Sequence, residues 1–141
     1  MSGSTRTEPI SSDAWRQLPT VFVVDDDAAV LDGLSELFES EGYGVATARD
    51  GWSALEKLRG GLRPSVILLD LMMPAMDGWD FRQAQLRDVA LKDIPVVVLT
   101  AAGFSETSIK VQFGDIEFVA KPPDVGELLG AVRRRLGELK G

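Results

Sequence analysis

The chain has 141 residues, 45% of them hydrophobic and 26% charged, a net charge of −7, and neither cysteine nor histidine. That length suits one domain with a real core, and the missing Cys and His exclude disulfides, thiolate or imidazole metal sites and histidine acid–base catalysis. Any metal must be held by oxygen, which favours a hard ion such as Mg²⁺, and the acidic balance argues against direct DNA binding.

Residues 1–19 are rich in Ser and Thr, and their charges cancel, Arg6 and Arg16 against Glu8 and Asp13. They are expected to be a flexible N-terminal tail, with Trp15 and Leu18 able to dock on the body. No stretch approaches the length of a membrane span and no basic segment leads into an apolar one, so a cytoplasmic protein is expected.

From Thr20 to the end, residues 20–141 alternate strand and helix patterns five times. The first strand spans about Thr20–Asp25. Its helix carries Val30, Leu31, Leu34, Leu37 and Phe38 at helical spacing and is closed by Gly42. A short strand follows at about Gly44–Ala48. Asp50 then caps a helix with Trp52, Leu55 and Leu58, ended by Gly60-Gly61.

The third strand, Ser65–Asp70, is a near-continuous apolar run, as a strand buried on both faces requires. Its helix starts near Gly78, with Trp79, Phe81 and Leu86. The fourth strand is Pro95–Thr100, and the weaker helix after it, Ser105–Phe113, carries Ile109, Val111 and Phe113. The fifth strand is Glu117–Ala120. Asp124 and Glu127 form a capping-box pattern before the stripe Val125, Leu128, Leu129, Val132 and Leu136. Arg133-Arg134-Arg135 beside that stripe reads as a solvated face. Strand–helix alternation with short connections implies an α/β fold, a parallel sheet with helices on both faces.

Open α/β sheets place their chemistry in loops leaving the carboxyl ends of strands, and the polar residues of interest fall there. The first strand runs into Asp25-Asp26-Asp27. Asp27 suits a helix cap, but two more adjacent carboxylates repel, and a divalent cation relieves that cost. An acidic run here also counts against a phosphate-cradling flavin loop. Asp70 ends the third strand, Thr100 the fourth, and Lys121-Pro122 follows the fifth. Each has a bland reading: a turn Asp, a β-branched strand residue, an ordinary Lys-Pro. Together they offer a carboxylate able to accept a phosphoryl group, a cation to offset its charge, and a hydroxyl to reach its oxygens.

Val-Val-Asp-Asp-Asp, Asp-Leu-Met-Met-Pro-Ala-Met-Asp-Gly, Leu-Thr-Ala and Lys-Pro, in this order and at strand ends, resemble the receiver domain of bacterial two-component response regulators. The resemblance covers about Thr20 to Leu139. It implies a flavodoxin-like, doubly wound, five-stranded parallel sheet of order 2-1-3-4-5 with five flanking helices. Asp70 is then the phosphoacceptor. Asp25, Asp26, Asp70 and the backbone carbonyl of Met72 organise Mg²⁺, Lys121 pairs with the phosphoryl oxygens, and Thr100 and Phe118 form the switch. It further implies a histidine kinase or phosphotransfer protein as donor, an unspecified downstream protein as target, and a monomer or weak phosphorylation-dependent dimer. It also implies a phosphotransfer that is partly self-catalysed, with no separate substrate turned over.

Phe118 lacks the hydroxyl of the tyrosine often found there, Pro123 replaces a bulky residue, and Gly103–Gly114 is slightly short. Met72 and Ala102, two residues past Asp70 and Thr100, cannot orient a water, which predicts slow self-dephosphorylation. A pseudo-receiver that binds proteins without phosphorylation is the alternative. A dehalogenase-type phosphohydrolase needs a second Asp where Met72 stands.

Overall fold

The computed structural model describes residues 18–73, 75–101, 105–114 and 116–138. Most of the expected tail, including Trp15, lies outside the described residues, as do Pro74, Ala102, Gly103 and Leu139. The elements alternate as β1 (Thr20–Val24), α1 (Ala28–Ser40), β2 (Gly44–Ala48), α2 (Gly51–Arg59) and β3 (Val66–Asp70), then α3 (Gly78–Arg87), β4 (Val96–Thr100), α4 (Glu106–Phe113), β5 (Glu117–Ala120) and α5 (Val125–Arg135). Asp25, Ser65 and Pro95, read as strand residues from sequence, flank the strands instead. Pro95 has no N–H to give the ladder, though its carbonyl accepts from Ile67 N at 2.9 Å.

All pairings are parallel, and the order β2-β1-β3-β4-β5 is the expected 2-1-3-4-5. Every residue of β3 and β4 is buried. The two-residue period of a strand divides that apolar content between two cores. Phe22, Ile67, Leu69 and Val98 meet α2, α3 and α4 through Leu55, Leu58, Phe81, Ile109 and Phe113. On the opposite face Val21, Val23, Leu68 and Leu99 meet α1 and α5 through Leu34, Phe38, Leu128 and Val132. Each fully buried side chain of this size contributes about 2 kcal/mol.

Helix caps follow the sequence. Asp27 accepts from Ala29 N at 2.9 Å, Asp50 from Ser53 N at 2.7 Å, and Asp124 from Glu127 N at 2.9 Å. Gly42, at φ 92°, closes α1 where a Cβ would be disfavoured.

Four of the apolar residues that marked the helices in sequence face solvent: Trp52 (61% exposed), Leu86 (41%), Val111 (76%) and Val125 (54%), the last expected on a buried stripe. In α2 the buried stripe is Gly51, Ala54, Leu55 and Leu58, and Trp52 falls off that arc. In α3 it is Gly78, Phe81, Arg82 and Gln85, so two polar residues take the place a hydrophobic pattern would give Leu86. Val125 precedes the buried part of α5, which begins at Leu128. The three arginines of α5 are not merely solvated. Arg134 and Arg135 both reach Glu117, at 2.6 and 3.1 Å, and Arg133 reaches Glu41 at 2.6 Å. Among the described residues, no helix is long and apolar enough to cross a membrane.

Candidate functional site

The parallel register brings the candidate residues together. Val24 pairs with both Ala48 and Leu69, Asp70 with Leu99, and Thr100 with Ala120, so the carboxyl ends of β1, β3, β4 and β5 share one edge. Asp25 is held there by its N–H, which donates to Ala48 O at 3.1 Å. Its Oδ1 accepts from Asp27 N at 3.0 Å. Asp25 is fully buried, Asp70 nearly so, and Asp26 is the more exposed of the three. One carboxylate oxygen from each of Asp25, Asp26 and Asp70 lies within 4.8 Å of the others.

Lys121 enters from the far side of the sheet. Its N–H donates to Thr100 O at 2.7 Å, and the Lys121–Pro122 peptide is cis. Nζ lies 2.9 Å from Asp25 Oδ2 and 3.3 Å from Asp70 Oδ1. The Met72 N–H donates to the same Asp70 Oδ1 at 3.2 Å, while its side chain is 58% exposed. Among the described residues these contacts all fall on Oδ1, which leaves Oδ2 as the Asp70 oxygen not already engaged.

The electrostatics are those of a site short of positive charge. Burial, then the neighbouring Asp25 carboxylate, pushes the Asp70 carboxyl above its ordinary value, and Lys121 only partly offsets them. Burial acts to lower the Lys121 ammonium, but its hydrogen bond to Asp25 and the charges of Asp70 and Asp25 outweigh that and raise it. Lys121 is therefore a fixed cation at neutral pH. Carboxylates still outnumber it, and every donor is oxygen, so the set fits a hard divalent cation held by Asp25, Asp26 and Asp70.

Thr100, 5% exposed, ends β4 beside this cluster. Phe118 pairs with Val98, two residues back from the Thr100–Ala120 pair, so Thr100 and Phe118 share a sheet face as diagonal neighbours. Phe118 is half-buried against the core on that face.

Three features of the loop between β3 and α3 were not assigned from sequence. Asp77 caps α3, accepting from Asp80 N at 3.0 Å, a pattern that Asp77-Gly78-Trp79-Asp80 carries openly. A Cβ on Gly78 would stand 2.6 Å from Asp70 O and 2.8 Å from Leu71 Cα, and one on Gly51 would meet Met76 O at 2.8 Å. Ala75 takes φ 64°, a left-handed conformation rare outside glycine.

A doubly wound α/β domain with a carboxylate cluster and an ammonium at its carboxyl edge defines the class. Comparison with known proteins gives the family. The response regulator receiver domain model matches residues 21–133, and the chain belongs to that family. The DNA-binding dual master transcriptional regulator RpaA of Synechocystis sp. is 39% identical over 120 residues, covering 84% of this chain and 49% of the relative. The DNA-binding response regulator MtrA of Mycobacterium tuberculosis is 36% identical over 125 residues, covering 88% and 52%. The chain thus spans about half the length of these curated relatives. Among solved structures, the Francisella response regulator 1452 receiver domain superposes with TM-score 0.73 at 31% identity, covering 86% of this chain and 99% of that one. Vibrio cholerae chemotaxis protein CheY4 superposes with TM-score 0.75 at 29% identity, covering 83% and 98%.

Proposed function

We propose that this receiver domain accepts a phosphoryl group on Asp70 from a histidine kinase, a phosphotransfer protein or a small phosphodonor, and so switches a protein-binding surface. The observation that carries this reading is the convergence of three carboxylates within 4.8 Å, with Lys121 bridging Asp25 and Asp70.

Asp70 Oδ2 is the nucleophile. A bond forms from this oxygen to phosphorus as the donor's bond to phosphorus breaks, and the leaving group keeps the electron pair. Lys121 Nζ and the Met72 N–H hold Oδ1 and so aim the carboxylate. Asp25, Asp26 and Asp70, with the Met72 carbonyl, would hold Mg²⁺, which supplies positive charge against the phosphoryl oxygens. Lys121 keeps its contact with buried Asp25 and offers the same cationic head to a phosphoryl oxygen. The product carries about two negative charges at neutral pH. Thr100, at the adjoining strand end, donates its hydroxyl to one of these oxygens. The space it leaves on the shared sheet face is open to Phe118, which turns a charge change into a packing change on β5.

The test is intact mass after incubation with Mg²⁺ and acetyl phosphate. Wild type gains one phosphoryl group and Asp70→Ala gains none. A label that persists in Asp70→Ala overturns the assignment. Wild type that stays unlabelled with every donor supports the pseudo-receiver instead.

A further inference from the structure

The mechanism leaves unused a buried polar pair in the middle of α3. Arg82 is 9% exposed and Gln85 is fully buried. The Arg82 guanidinium donates from Nη1 to Gln85 Oε1 at 2.8 Å and from Nη2 to Phe113 O at 3.2 Å. The Gln85 amide in turn donates to Leu91 O and Ile94 O, both at 3.0 Å, in the segment entering β4. Arg82 Nε is buried without a hydrogen-bond partner. Burial also pulls the Arg82 guanidinium below its ordinary range. A cation is costly to bury, and among the described residues no carboxylate meets this one.

What it does meet is the last carbonyl of α4. Helix ends leave such carbonyls unpaired, and a cation there also suits the helix dipole. An eight-residue helix is far too short to persist on its own, so α4 depends on its anchors. Only Ile109 and Phe113 of its described side chains are buried. The Phe113 ring also lies against Trp79 of α3, with centroids 4.7 Å apart. At its other end α3 starts on Gly78, whose N–H donates to Leu71 O at 3.0 Å and whose Cα leaves no room for a Cβ against Asp70 O.

We propose that Arg82 is a positioning residue: it fixes the C-terminal end of α4 to α3, making α3 a strut between the Asp70 end of β3 and α4. On the function proposed above, a displacement at Asp70 then reaches α4 along α3, by a route separate from Thr100 and Phe118.

Amide hydrogen exchange on the full chain tests this, comparing wild type with Arg82→Met, Arg82→Lys and Gln85→Met. In Arg82→Met, α4 amides exchange at least about tenfold faster, as expected for loss of a hydrogen bond from a charged donor, while β3 amides hold. Arg82→Lys recovers part of that protection, because an ammonium still reaches Phe113 O. Gln85→Met, which removes only the brace, gives the same pattern more weakly and serves if Arg82→Met does not fold. Unchanged α4 exchange, or equal loss in α4 and β3, overturns the grip. For the strut, α4 exchange shifts on acetyl phosphate labelling in wild type, whereas Arg82→Met takes label at the wild-type rate without that shift. A labelled wild type whose α4 does not respond, or an equal response in Arg82→Met, overturns the strut. Absence of label with acetyl phosphate and with every other donor refutes the function proposed above and the strut with it, and leaves the grip to be decided by the unlabelled comparison.

Discussion

Ala75→Gly should make this protein more stable. Ala75 sits at φ 64°, where the Cβ of an L-residue crowds the following carbonyl at a cost of about 1–2 kcal/mol. The residue is exposed, so its methyl group contributes little packing in return. Glycine removes the crowding but makes the unfolded chain freer by about 0.4–1 kcal/mol, which offsets part of the benefit. The net gain is about 0.5–1 kcal/mol. At roughly 3 °C per kcal/mol for a domain of this size, Tm rises by about 2–3 °C. Thermal unfolding followed by far-UV circular dichroism, without Mg²⁺ or phosphodonor, reads this directly. A Tm equal to or below wild type would refute the claim that the loop is strained at Ala75.

Gly78→Ala goes the other way. Its Cβ would meet backbone rather than a flexible side chain, so the loop must shift, at about 1–3 kcal/mol, with a lower Tm and slower acetyl phosphate labelling. Mg²⁺ should raise the wild-type Tm, by about 2.7 kcal/mol of stabilisation at a hundred times Kd, and Asp26→Asn should blunt that gain in the same melt. Burial lifts the Glu117 carboxyl, but hydrogen bonds and charges from Arg134 and Arg135 outweigh it and hold the group below its usual range. A depressed carboxylate stabilises fully above its unfolded value and loses that contribution as pH falls through the folded one. Wild type should therefore outlast Glu117→Gln at pH 7, with the Tm gap closing below about pH 4.3; a gap constant to pH 3 would refute the pairing. Finally, Met72→Asn together with Ala102→Glu should speed decay of the phosphorylated protein, measured by loss of the phosphoryl mass after donor removal.

The sheet was legible because its strands say one thing at every position. Val66–Asp70 and Val96–Thr100 are apolar runs of strand length, and the structure buries every residue in them. The acids and Lys121 were legible for a related reason: like charges packed at strand ends need an explanation that loop composition alone does not supply. Helix faces were read less well. Hydrophobic spacing picks out Leu86 and passes over its buried neighbours because it cannot anticipate that Gln85 finds Leu91 O and Ile94 O, or that Arg82 finds Phe113 O. A polar group becomes a core residue only when distant backbone acceptors satisfy it, and distance along the chain hides them. Arg133–Arg135 lie on the surface as read, but their pairing was hidden likewise, since Glu117 and Glu41 lie on other elements.

The Lys121–Asp25 hydrogen bond closes a span of 96 positions. A ribosome delivers Asp25 early, Asp70 midway, and the balancing ammonium only when the fifth strand emerges. Until then a growing chain carries acids with no counterweight and no finished edge on which to hold them. The carboxyl edge is thus finished only by its last strand, and any product that stops short of Lys121 lacks the ammonium that bridges Asp25 and Asp70.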